Sequence, residues 1–132
     1  MPDLISILVA EDNSISQFMI TKILKRMGMD VDVVDNGDKV LESLRNKNYD
    51  LILMDSHMPV MDGLEATRII RREFSEPQKS IPIISLSASI MEDEHRAAII
   101  AGANDVVTKP FDPLILQQKI MELIQKNLPV VS

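Results

Sequence analysis

Residues 51–55 read Leu-Ile-Leu-Met-Asp, four bulky apolar residues in a row closed by an acid. A strand with one wet face alternates apolar and polar residues, and this run does not. It reads instead as a strand covered on both faces, as in a parallel sheet flanked by helices. The runs Ile5–Ala10 and Ile81–Leu86 have the same character. Val31-Asp32-Val33-Val34 carries an acid within it and suits an edge strand. Val106-Val107, short and flanked by polar residues, suits the opposite edge.

Helical patterns separate these runs. Ile15, Phe18, Met19, Ile23 and Met27 recur at three- and four-residue spacing, which predicts a first helix with that stripe toward the core and Gly28 as its stop. Val40, Leu41 and Leu44 mark a second helix, and a third is expected from about Leu64 to Arg72. Ser89 with Glu92 three residues on has the pattern of a capping box for a fourth helix, ending near Gly102. Asp112 as N-cap and Pro113 as first helical residue open a fifth, with Leu116, Ile120, Leu123 and Ile124 as its stripe. Successive strand–helix units joined by right-handed crossovers predict an α/β, flavodoxin-like doubly wound fold. Its sheet has five parallel strands in the order 2-1-3-4-5, accompanied by five helices. In such sheets the functional crevice lies beyond the carboxyl ends of the strands, where the strand order reverses.

At 132 residues the chain has the length of one domain, expected to span 1–132. Its net charge of −6 argues against direct contact with nucleic acid, which requires clustered Lys and Arg. Arg68, Arg71 and Arg72, the densest basic run, read as the solvated face of a helix. With no cysteine, disulfides and thiolate metal sites are excluded, and the nine methionines read as adaptable core packing. No signal-peptide pattern and no apolar run near the ~20 residues of a membrane span are present, so a cytoplasmic protein without membrane contact is expected.

Three carboxylates converge in this arrangement. The first strand ends in Glu11-Asp12 and the third in Asp55, and these strands are neighbours in the expected order. Two carboxylates ~4 Å apart repel by ~4 kcal/mol at an effective dielectric of ~20, so protonation or a cation has to offset them. An all-oxygen ligand set with open positions suits Mg²⁺. The fourth strand brings Ser87 to the same edge, and the fifth is followed by Lys109. Taken singly, each residue has a plainer reading: a helix cap, a loop acid, a turn hydroxyl, a surface lysine. Together they form a set suited to phosphoryl transfer, with a carboxylate nucleophile and positive charge to neutralise the equatorial oxygens.

Four segments carry a resemblance: Ile-Leu-Val-Ala-Glu-Asp-Asn (7–13), Met-Asp-Ser-His-Met-Pro-Val-Met-Asp-Gly (54–63), Ser-Leu-Ser-Ala (85–88) and Thr-Lys-Pro-Phe (108–111). From about Ile5 to Ile124 the chain resembles the receiver domains of two-component signalling, found in response regulators and hybrid histidine kinases. The resemblance implies a signalling switch rather than an enzyme acting on an outside substrate. Asp55 would accept a phosphoryl group from a phosphohistidine on a histidine kinase or histidine phosphotransfer protein, and would then switch binding of a downstream target or relay the phosphate. It further implies Mg²⁺ (or Mn²⁺) on Glu11, Asp12, Asp55 and the backbone carbonyl of His57. Ser87 would hydrogen-bond the phosphoryl group, Lys109 would pair with it, and the Lys109–Pro110 bond would be cis. The side chains of His57, Ala88 and Ser89 would tune the lifetime of the acyl phosphate. His95 is expected to be exposed, and Asp62-Gly63 to shape the turn into the third helix.

One position departs from the family. Where a Tyr or Phe usually stands three residues before the lysine, this chain has Val106, so the usual aromatic switch has no ring to turn. Phe111 is too loosely placed by sequence to be named its substitute. Three alternatives stay open at this point. A flavodoxin-type redox protein shares the fold, but Glu11 and Asp12 would repel a flavin phosphate. A haloacid-dehalogenase-type phosphatase uses an aspartyl nucleophile but wants a second acid where His57 stands. A pseudo-receiver would bind partners without phosphate. The Ala-Glu-Asp-Asn opening and the 74–80 segment look like hybrid-kinase receivers, whereas Met1 and the compact ends, closing at Asn127-Leu128-Pro129, look like a stand-alone regulator.

Overall fold

The computed structural model describes residues 4–126; Met1 and the Asn127-Leu128-Pro129 segment lie outside them. The chain alternates β1 (Ser6–Ala10), α1 (Ser14–Arg26), β2 (Asp30–Val34), α2 (Gly37–Asn46), β3 (Leu51–Asp55), α3 (Gly63–Glu73), β4 (Ile83–Ser87), α4 (Glu92–Ala101), β5 (Asp105–Thr108) and α5 (Pro113–Lys126). All strand pairs are parallel, in the order β2-β1-β3-β4-β5. This is the doubly wound sheet expected from the sequence. The central strands β3 and β4 are buried at every residue, and β2 is the partly exposed edge.

Side chains alternate across each strand, so one sheet builds two cores. Ile7, Val9, Leu53, Ile84 and Val107 pack beneath α1 and α5, against Ile20, Leu24, Leu116 and Ile120. Leu8, Ala10, Ile52, Met54 and Ile83 face α2, α3 and α4, against Val40, Leu44, Ile70 and Ala98. Both layers meet their helices through fully buried aliphatic groups, each contributing about 1.5–3 kcal/mol of burial.

The first helix corrects its sequence reading. Ile15, Phe18 and Met19 are exposed, while Ile20 and Leu24 are the buried residues, with Ile23 and Met27 packed partly against them. The apolar residues of α1 cover a wide arc, and periodicity alone does not say which part of that arc meets the sheet. The fourth helix brings a second correction. It starts at Glu92 with Met91 as N-cap and no side-chain cap, so the Ser89–Glu92 capping box does not form. Asn13, Asn36 and Asp62 do cap α1, α2 and α3 with their side chains. At α5, the Asp112 carboxylate accepts from the Leu114 N–H at 2.9 Å.

Arg71 does not lie on a solvated face. Its guanidinium donates to the carbonyls of Gly102 (2.9 Å) and Lys79 (2.8 Å) and to Asn104 Oδ1 (2.9 Å). That oxygen also accepts from the Ile83 N–H at 2.8 Å. One side chain thus clamps α3, the 74–82 connection and the turn after α4, where Gly102 sits at φ 122.

On the β2 edge, Lys47 Nζ lies 3.0 Å from Asp32 and 3.3 Å from Asp30, and the Tyr49 hydroxyl donates to Asp32 at 2.6 Å. Burial, followed by the hydrogen bond to the Asp32 carboxylate, pushes the Tyr49 phenol up to about 12. The proton is held more tightly in the folded state, so this contribution to stability is whole below pH 10.0 and is lost as the pH rises through about 12. Tyr49 is the sole tyrosine, so phenolate absorbance reads it directly. The native protein is expected to ionise well above the denatured chain, and coincident titrations would refute the Asp32 contact.

Candidate functional site

Glu11 follows β1 directly, and its main chain is held from two sides. Its N–H donates to the Val34 carbonyl at 3.0 Å, and its carbonyl accepts from Gln17 Nε2 at 2.5 Å. Its carboxylate is fully buried; Oε1 accepts from the Asn13 N–H (3.1 Å) and Oε2 from Lys109 Nζ (2.6 Å). Burial pushes this carboxyl above its ordinary range and the Asp55 charge adds to that, while the Lys109 and Asn13 hydrogen bonds pull it down.

Asp55 closes β3 and is 6% exposed. One carboxylate oxygen accepts from the His57 N–H at 3.2 Å and the other from Lys109 Nζ at 3.2 Å. Lys109 therefore bridges two acids from two different strands. Burial works against its charge, but the pairing with Glu11 and Asp55 outweighs it and the ammonium titrates above its ordinary value. Its backbone N–H donates to the Ser87 carbonyl at 2.7 Å, which fixes the lysine beside the end of β4. The Lys109–Pro110 peptide bond is cis.

Carboxylate oxygens of Glu11, Asp12 and Asp55 lie within 4.8 Å of one another. Asp12 is exposed and opens the cluster to solvent. Two buried acids and an exposed one, all oxygen donors, fit a hard divalent cation that keeps part of its water. Ser87 is buried beside them, with its hydroxyl turned to the Ser89 backbone. His57 and Ala88 are exposed at the rim, and Ser89 is half-buried.

Val106 is half-buried against the α2–α4 core. Phe111 belongs to the opposite core, under α1 and α5, so the sheet separates it from Val106 and it does not replace the missing ring. His95 is a correction: it is half-buried, and its Nε2 lies 2.7 Å from the Ser89 carbonyl oxygen. Sequence reasoning also missed Asn13, Gln17, Ser56 and Ser85. The Ser56 and Ser85 hydroxyls bond to each other at 2.9 Å beneath the site. Of these only Asn13, an N-cap residue before a helical run, carried a signal.

The family model described as "Response regulator receiver domain" matches residues 7–121. Hybrid signal transduction histidine kinase K of Dictyostelium discoideum is 38% identical over 96% of this chain, which spans 11% of that relative's length. Among solved structures, the receiver domain of a Pseudomonas aeruginosa sensor histidine kinase, with magnesium coordinated in its active-site cleft, is 36% identical with a TM-score of 0.85. That likeness covers 93% of this chain and 99% of the other. A receiver domain crystallised with the Saccharomyces cerevisiae histidine phosphotransfer signaling protein is 28% identical with a TM-score of 0.86, covering 96% of this chain and 93% of the other. No helix among the described residues is long and apolar enough to cross a membrane. The acid cluster sits where the doubly wound sheet reverses its order, and the whole sheet is matched: the chain belongs to the response regulator receiver domains of two-component signalling.

Proposed function

We propose that the chain is a single receiver domain whose Asp55 takes a phosphoryl group from a phosphohistidine on a partner protein. The observation that carries this reading is Lys109, held 3.2 Å from Asp55 and 2.6 Å from Glu11 at the mouth of the sheet. One Asp55 oxygen bonds to phosphorus as the P–N bond to the donor imidazole breaks; the electron pair leaves on the imidazole, which takes up a proton. Lys109 neutralises charge on the transferring group, and Ser87 supplies a hydroxyl to it. Mg²⁺ held by Glu11, Asp12, Asp55 and the His57 carbonyl would supply further neutralisation of the phosphoryl oxygens. His57, Ala88 and Ser89, at the rim, control access of hydrolytic water.

The donor is a protein, a histidine kinase or a histidine phosphotransfer protein, working in the cytoplasm. Exposed apolar side chains ring the mouth: Ile15 in the first turn of α1, Val60 after β3, Ile90 after β4 and Leu114 in the first turn of α5. Val60 is 86% exposed and stands at φ 68, a conformation unfavourable for a β-branched residue. Such a rim suits a docked apolar protein face.

Acetyl phosphate, with Mg²⁺ or EDTA, tests the chemistry without a protein donor. Intact-mass measurement is expected to find one Mg²⁺-dependent phosphoryl adduct on the wild type and none on Asp55→Asn. An adduct persisting in the variant would place the acceptor elsewhere. No adduct from acetyl phosphate or from a phosphorylated histidine phosphotransfer protein would favour phosphate-independent binding.

A further inference from the structure

The Ser87 hydroxyl is already engaged. It donates to the Ser89 carbonyl at 3.3 Å and accepts from the Ser89 N–H at 3.1 Å, so the connection from β4 to α4 folds back on it. The same Ser89 carbonyl meets His95 Nε2 at the shorter distance of 2.7 Å. A carbonyl only accepts, so Nε2 carries the proton in this contact. Two more bonds close this turn onto the start of α4. The Met91 N–H donates to Ser89 Oγ at 3.0 Å, and the His95 N–H donates to the Met91 carbonyl at 3.2 Å. Beside Ser87, a cavity of about 60 Å³ lined by Ser56, His57, Leu64, Ser87, Glu94 and Ala97 gives the hydroxyl room to turn. Val106 offers no polar atom and no ring at the position where an aromatic usually couples that hydroxyl to the α4 face.

We propose that His95 is a positioning residue: by holding the Ser89 carbonyl, it keeps the Ser87 hydroxyl parked on the Ser89 backbone until a phosphoryl group on Asp55 draws it away. Coupling between the site and α4 then runs through a backbone carbonyl and an imidazole instead of an aromatic side chain. His95 touches neither the acids nor the phosphoryl group. Its effect on them passes entirely through Ser87. The proposal rests on the reading of Asp55 as phosphoacceptor.

His95→Leu removes the donor, and His95→Gln retains an N–H of similar reach. With acetyl phosphate and Mg²⁺, His95→Leu is expected to gain phosphate faster and lose it more slowly, each by roughly two- to tenfold, the worth of one hydrogen bond. His95→Gln should stay near the wild type. In a Ser87→Ala background the same His95→Leu change should alter neither rate, because the parked hydroxyl is gone. Wild-type rates in His95→Leu, or an effect that persists without the Ser87 hydroxyl, would overturn the proposal. Amide exchange at Ser89 in the unphosphorylated protein separates this failure from a failure of the Asp55 reading. It should quicken in His95→Leu but not in His95→Gln, and unchanged exchange in His95→Leu refutes the latch whatever Asp55 does.

Discussion

Gly63→Ala is expected to lower the unfolding free energy by about 3 kcal/mol or more, at the upper end of what overpacking costs. A Cβ at this position would overlap the Asp55 carbonyl oxygen and come within 2.8 Å of Met54 Cγ. The oxygen belongs to the end of β3, and the Gly63 N–H is itself tied to the Ser56 carbonyl at 3.1 Å, so neither backbone has a cheap way to retreat. Relief requires the first turn of α3 to move off the sheet, and that turn carries the Asp62 cap and buried Ala66. Domains of this kind have roughly 5–15 kcal/mol in all, so the loss is a large share. Urea denaturation reads it as a shifted midpoint. Because the obstructed carbonyl is that of Asp55, the folded fraction should also accept phosphate more slowly. A midpoint equal to wild type would mean that the first turn of α3 can move off β3 at little cost.

Lys109→Met is expected to slow phosphorylation by acetyl phosphate about a hundredfold or more, the usual effect of removing one positioned donor from developing charge. The same change leaves Glu11, fully buried, beside Asp55 with no cation between them. Breaking a buried pair from one side costs about 3 kcal/mol at the low end, which applies here because Lys109 keeps 20% of its side chain exposed. Two conditions should narrow the gap to wild type. Mg²⁺ replaces the missing positive charge, so it should stabilise the variant more than the wild type. Acidification acts through Glu11, whose carboxyl burial already raises. Without Lys109 it rises further, the folded state binds the proton before the unfolded chain does, and the deficit shrinks as the pH falls into the carboxylate range. A deficit indifferent to both would mean that Lys109 acts through packing alone.

The strand runs were readable because a strand buried on both faces must be apolar at every position, as Leu51–Asp55 is up to its final acid. The flavodoxin-like strand order suited the acid in β2 and the brevity of β5 at its two edges, and strand ends brought Asp55, Ser87 and Lys109 to one edge. Failures came where the deciding partner was not a side-chain pattern. On α1, Ile15 and Ile20 are equally apolar, and only the way the helix lies on the sheet selects Ile20 and Leu24. At α4, Ser89 has cap chemistry, but its carbonyl and hydroxyl are drawn into the turn that holds His95, so the helix starts later. Arg71 looks like a surface cation because its partners are two backbone carbonyls and an asparagine amide, none of which is marked by residue type.

The Glu11–Lys109 contact joins residues 98 positions apart, and the Asp55–Lys109 contact joins residues 54 apart. On a ribosome, β1 and β3 leave the exit tunnel well before the lysine does. At roughly 5–20 residues per second, that interval lasts on the order of 3–10 s. Throughout it Glu11 and Asp55 are neighbours in waiting, with no ammonium to let them enter the sheet as charges. Either the nascent strands hold apart or a dissolved cation stands in. The edge strand β5, made last, therefore closes the sheet and supplies its counterion in one step, and a chain that stalls before Thr108 has neither a complete site nor a reason to bury Glu11.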